Sequence, residues 1–153
     1  MKKILLALWL ASYLVPATAQ TEVKISPLPL LFGGIAASLE FGTSRDFGID
    51  ADLYFIDGSG GGNVSAKYYL TPNYGLDRFH IGGFVGAREE AVGVGFLIGY
   101  KWISRKNILF EIGAGLGRSF TEDDYLLGYG KLHMGYRFGK KVSEPSKPPS
   151  QNY

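Results

Sequence analysis

The chain contains no cysteine. Disulfides, thiol chemistry and lipid attachment through an N-terminal cysteine are therefore all excluded. Its two histidines, His80 and His133, do not have the short spacing of a metal-ligand pair. After residue 20 there is no convincing helical period, and no apolar stretch reaches the roughly 20 residues a membrane-spanning helix needs. A dense basic patch is also missing. The chain has 16 Lys and Arg against 14 Asp and Glu, and setting aside Lys2 and Lys3 leaves 14 of each. That balance argues against nucleic-acid binding.

What is present in quantity is glycine, at 22 residues, and its placement follows a period of two. In 91–102, Val92, Val94, Phe96, Ile98, Tyr100 and Trp102 alternate with Ala91, Gly93, Gly95, Leu97, Gly99 and Lys101. In 108–117, Ile108, Phe110, Ile112, Ala114 and Leu116 oppose Leu109, Glu111, Gly113, Gly115 and Gly117. A β-strand sends alternate side chains to opposite faces, so one face here is oily and the other is small with a few charges. The second face is too poor in charge for an ordinary solvent face. It suits the cramped interior of a narrow barrel whose oily face meets lipid.

The N-terminal stretch has a different pattern. Lys2 and Lys3 precede an apolar run from Ile4 to Val15, and Pro16-Ala17-Thr18-Ala19 reads as a cleavage site. Residues 1–19 are expected to be a signal peptide, leaving a mature chain of about 134 residues, enough for one domain.

Seven segments read as strands: 33–42, 46–57, 63–71, 78–88, 91–103, 107–118 and 125–138, with 78–88 losing regularity after Gly82. Single-chain bacterial barrels use an even number, so an eighth strand is sought in 21–32. Pro27 and Pro29 cannot donate ladder hydrogen bonds. Either a short strand at 22–26 precedes a turn, or 21–42 forms one bent strand. The expected fold is an all-β, closed, antiparallel up-and-down transmembrane barrel of eight strands over residues 20–138. The polar, proline-rich residues 139–153 are expected to form a disordered tail. With both ends in the periplasm, turns near 43–45, 72–77 and 104–106 face it. A glycine-rich loop at 57–62 and loops at 88–90 and 119–124 then face outward. The 57–62 loop lacks the Lys-Ser/Thr and following helix of a phosphate-binding loop.

An eight-stranded barrel is just wide enough inside for side chains. Its inward set is expected to include Glu40, Asp50, Asp52, Lys67, Lys101, Glu111, Lys131, His133 and Arg137. Enclosed charges must be paired or wet, so a salt-bridge and water network is expected to fill the lumen without an open pore. The expected lipid-facing set is Phe47, Ile49, Leu53, Val92, Val94, Phe96, Ile98, Phe110, Ile112, Leu116 and Met134. Tyr68, Tyr100, Trp102, Tyr136 and Phe138 sit near strand ends, where aromatics suit the headgroup zone.

The segment Leu132-His133-Met134-Gly135-Tyr136-Arg137-Phe138 resembles the terminal-strand signal that outer-membrane assembly machinery reads in barrel proteins. Leu31-Phe32-Gly33-Gly34 running into Leu39-Glu40-Phe41 is similar to a family of small uncharacterised outer-membrane barrels common in Bacteroidetes. So is Gly95-Phe96-Leu97-Ile98-Gly99-Tyr100-Lys101-Trp102 followed by Leu109-Phe110-Glu111-Ile112-Gly113. The resemblance spans about residues 23–139. It implies the fold and an outer-membrane location, and it brings no catalytic residues.

A structural or envelope-interaction role follows, with outer-membrane lipids and lipopolysaccharide as contacts and no specific protein partner indicated. No catalytic residue, cofactor or metal is expected. The acidic loop Glu122-Asp123-Asp124 reads as a solvated tip rather than a cation site. Two other functions remain open. A lipid-modifying hydrolase would draw on Ser119, His133 and Glu111, the nearest approach to a nucleophile, base and orienting acid. A secreted soluble barrel would instead carry an apolar ligand.

Overall fold

Strand-forming residues alternate across short turns, and the structure, a computed structural model, turns that pattern into a closed sheet. It describes residues 20–88, 91–121 and 126–139. Eight antiparallel strands follow one another in chain order, and the last closes on the first. They are β1 (Thr21–Ser26), β2 (Ile35–Gly42), β3 (Phe47–Ile56), β4 (Ser59–Tyr69), β5 (Arg78–Arg88), β6 (Ala91–Ile103), β7 (Ile108–Ser119) and β8 (Leu126–Phe138). Closure sets Thr21 opposite Phe138 and Ile25 opposite Met134, so no sheet edge is left unpaired.

The proline-rich segment resolves into a short strand and a turn. The ladder ends at Ser26, and Pro29–Phe32 forms a single 3-10 turn capped by left-handed Gly33. Both prolines fall beyond the hydrogen-bonded ladder, where a missing N–H costs nothing. One bent strand over 21–42 is therefore not what forms.

The expected glycine-rich loop at 57–62 is also corrected. The turn is only Asp57 and Gly58, both with positive φ (51° and 82°), and β4 begins at Ser59. Such a two-residue hairpin matches the twist of the flanking strands. Gly60, Gly61 and Gly62 pair with Phe55, Tyr54 and Leu53. Gly61 has no side chain because the Tyr54 ring lies over it; a Cβ there would collide with the phenol. Strand β5, expected to lose regularity after Gly82, pairs without a break to Arg88.

The two mouths of the barrel differ. The lower mouth holds Gln20, Phe138 and the turns at 43–46, 70–77 and 104–107. There the 70–77 turn folds inward. Leu76 is fully buried, Asp77 accepts hydrogen bonds from the Asn73 and Tyr74 amides, and Arg137 donates to the carbonyls of Tyr74 and Leu76. The upper mouth lies between the 3-10 turn, the Asp57-Gly58 turn and the ends of β5 to β8. The segments 1–19, 89–90, 122–125 and 140–153 lie outside the described residues. They include the expected signal peptide, the acidic loop and nearly all of the tail.

Candidate functional site

The lumen takes its character from alternate residues of all eight strands. β1 supplies Glu22 and Lys24, β2 Ser38 and Glu40, and β3 Asp50 and Asp52. Lys67 and Tyr69 come from β4, His80 from β5, Lys101 from β6 and Glu111 from β7, while Lys131, His133 and Arg137 come from β8. All are buried. Neighbouring strands place them at matching depth: Glu22 lies opposite both Glu40 and Arg137, and Glu111 opposite both Lys101 and His133.

At the centre, Lys24 Nζ lies 2.5 Å from Glu40, 2.7 Å from Asp50 and 2.8 Å from Glu111. Lys67 meets the same three carboxylates, at 3.1 Å from Glu40 and 2.5 Å from Glu111, with Asp50 closer still. Lys101 bridges Glu22 and Glu40, each at 2.7 Å. Lys131 joins Asp50 to Asp52, and Arg137 closes on Glu22 at 2.6 Å. Tyr69 donates to Glu40, Ser38 to Asp50 and Tyr129 to Asp52. Five carboxylates thus face five cations. Burial of an unmatched charge is costly, so the one-to-one balance is what makes this interior tenable.

Carboxylate oxygens of Glu40, Asp50 and Glu111 lie within 4.8 Å of one another, a spacing that would serve a metal ion. The Lys24 and Lys67 ammonium groups contact all three acids and supply the positive charge there.

Each of the nine residues expected on the inward face is buried in the barrel, and together they form most of this network. Sequence reading missed Glu22 and Lys24, although Glu22-Val23-Lys24-Ile25-Ser26 alternates as clearly as any other strand. Prolines nearby obscured it. His80, absent from the expected inward set, is also buried in the lumen and lies 3.5 Å from Glu111.

The interior also departs from a uniformly polar, filled lumen. Phe84, Leu97, Leu109 and Tyr129 point inward and are buried. Above the charge network the barrel opens into a cavity of about 1410 Å³, lined among others by Ser26, Ala36, Asp52, Phe84, Leu127 and His133. Charges fill the lower half and the middle; the upper half is a vestibule.

The outer wall is its inverse. Phe47, Ile49, Leu53, Val92, Val94, Phe96, Ile98, Phe110, Ile112, Leu116 and Met134 are all exposed on it, Phe96 to 82%. Tyr68, Trp102, Tyr136 and Phe138 are exposed and Tyr100 half-buried. Tyr100, Trp102 and Phe110 adjoin in sequence of contact, with ring centroids 4.5 and 5.6 Å apart, and Tyr136 meets Phe138 at 5.1 Å.

Ser119, His133 and Glu111 are not assembled into a triad. Ser119 Oγ donates to the Val92 carbonyl near the upper mouth. Glu111 lies eight residues away on the same strand, roughly 26 Å at strand rise, and is held by lysines. No protein-family model, curated protein or solved structure matches the chain.

Proposed function

We propose that the protein is a small integral barrel of a Gram-negative outer membrane, exported by cleavage of residues 1–19, with a structural or envelope-interaction role. In this reading the assembly machinery of that membrane inserts it, lipid and lipopolysaccharide surround it, and the lower mouth and tail face the periplasm. It acts without catalytic residues, cofactor or metal.

The observation that carries the reading is the inverted polarity. Ten charged side chains are withdrawn into the lumen while Leu53, Phe96, Leu116 and many other large apolar groups cover the outside. In water such a surface would cost about 25 cal/mol for each Å² left exposed; in hydrocarbon it costs nothing. Closure supports the same reading, because a sheet without edges leaves no backbone group unsatisfied in lipid. Strands β3 to β8, at 10 to 13 residues, reach the roughly 9–11 that a tilted strand needs to cross. β1 and β2 are shorter, and above them the exposed Leu30, Leu31 and Phe32 extend the apolar wall. The aromatic cluster from Tyr100 to Phe138 lies toward the lower rim, as a headgroup girdle would.

Membrane fractionation combined with gel migration of heated and unheated samples tests this. The protein is expected in the outer-membrane fraction, with its folded form migrating faster than the heated form. Recovery in the soluble periplasmic fraction would overturn the proposal.

The upper cavity favours a second reading, a barrel that binds a small ligand. In a secreted soluble form of that barrel, a partner surface would have to cover the exposed apolar wall.

A further inference from the structure

We propose that the upper vestibule is a binding site for a small neutral amphiphile, one with an apolar body and a hydroxyl or amide head. The site goes beyond the membrane reading: every group involved faces inward, and only the lipid medium of the test rests on that reading.

Three observations meet there. The first is that the space is built. Phe84 and Leu127 lie back against β6, where a Cβ on Gly95 would collide with Phe84 Cε1 and one on Gly93 with Leu127 Cδ1. Bare backbone at those positions lets the large side chains recede and leaves the centre open, with a volume of about 1410 Å³. Open to the mouth, it exceeds the roughly 300–1,000 Å³ of common small-molecule pockets.

The second is the apolar wall. Phe84 and Tyr129 stack with centroids 5.0 Å apart and planes 27° from parallel, and Leu97 packs beside them. The lower lumen also holds buried rings and apolar groups, Tyr69 against His80 at 5.0 Å together with Leu76 and Leu109, but there Tyr69 lies under the Lys101 ammonium and donates to Glu40, within the charge network.

The third is the floor. Asp52 is already answered by Lys131 at 2.8 Å and by the Tyr129 hydroxyl at 2.9 Å. No charge there calls for a counter-ion. His133 is different: it is 5% exposed, it lines the cavity, and neither ring nitrogen has a hydrogen-bond partner. Its nearest carboxylate, Asp52, stands 3.8 Å from Nε2. A neutral imidazole offers one donor and one acceptor, and a hydroxyl or an amide can pair with either nitrogen, accepting from the one or donating to the other. A matched floor, a donor–acceptor pair without a partner and an aromatic wall together specify a neutral head and an apolar body.

The test uses residues 20–153 in lipid nanodiscs with labelled Ile and Leu methyls and labelled His rings, octanol as probe and octane as its headless counterpart. Octanol is expected to shift the inward Leu97 and Leu127 methyls saturably, together with the His133 ring. Octane should bind about tenfold more weakly or worse, the loss of one good polar contact. Ala36→Trp, which fills the cavity from an inward position on β2, should abolish the saturable shifts. Shifts confined to the outward Ile98 and Leu116, or rising linearly without saturation, would overturn the site. Equal affinity for octanol and octane would overturn its polar head. If Ala36→Trp fails to fold, the octanol and octane comparison on the unsubstituted protein decides alone.

Discussion

Lys67 makes contact with three carboxylates, and each of those acids meets at least one other lysine. Removing a single cation therefore unbalances the whole network rather than one pair. Lys67→Met should destabilise the barrel by about 3–5 kcal/mol, read as a lowered urea midpoint in refolding experiments. Adding Glu111→Gln restores the charge count and should recover part of that loss. At this scale much was legible in the sequence. Period-two alternation alone separates Asp50 and Asp52 from Ile49 and Leu53, and Lys101 from Trp102, because only one face of a strand enters the lumen. The vestibule was not legible. The inward face of β5 and β6 carries Phe84 and Leu97 among glycines, and alternation cannot say whether a large apolar side chain fills the space or lies back against a bare wall. The His133 ring is likewise ordinary in sequence; that it lacks partners depends on where Asp52 and Lys131 point.

Elements were readable where the turn chemistry was local and obscured where it was not. Six of the eight strands lie close to their expected bounds, because alternation holds over eight or more residues in each. β1 is six residues long and ends at prolines, so its own pattern is brief; only pairing with both Phe41 and Phe138 makes it a full member of the sheet. In the 57–62 segment, glycine abundance suggested a loose loop, yet Gly60 to Gly62 are sheet positions and the reversal belongs to two residues. Asp57 and Gly58 both adopt the left-handed region. Gly58→Val forces a β-branched residue into it and should cost about 1–2 kcal/mol, whereas Asp57→Asn should be close to neutral because Asn tolerates that conformation. Urea midpoints of the two variants check the contrast.

As a whole the molecule has its charge inside and its hydrocarbon outside, joined into a closed cylinder. The inversion was visible from the sequence as a face too poor in charge for water, and the closed topology gives that face an interior to occupy. What surrounds the outside is the central proposal. Phe96→Arg, Ile98→Arg and Ile112→Arg each place a charge on the outer wall. Embedded in a bilayer, each should lose about 2–4 kcal/mol of insertion free energy near mid-depth, seen as reduced folding into vesicles. On a wall facing water the same changes would improve solubility.

The chain has two tryptophans, Trp9 and Trp102, and residues 20–153, the form proposed to reach the membrane, keep only Trp102; this permits a direct measurement. The double variant Trp102→Phe with Phe96→Trp moves the fluorophore to the most exposed position on the outer wall. Refolded into vesicles whose acyl chains carry bromine, it is expected to be strongly quenched, and Trp102 itself should be quenched best by bromine placed close to the headgroups. Unquenched fluorescence at both positions, from a protein that stays folded and monomeric in lipid-free buffer, would contradict the account.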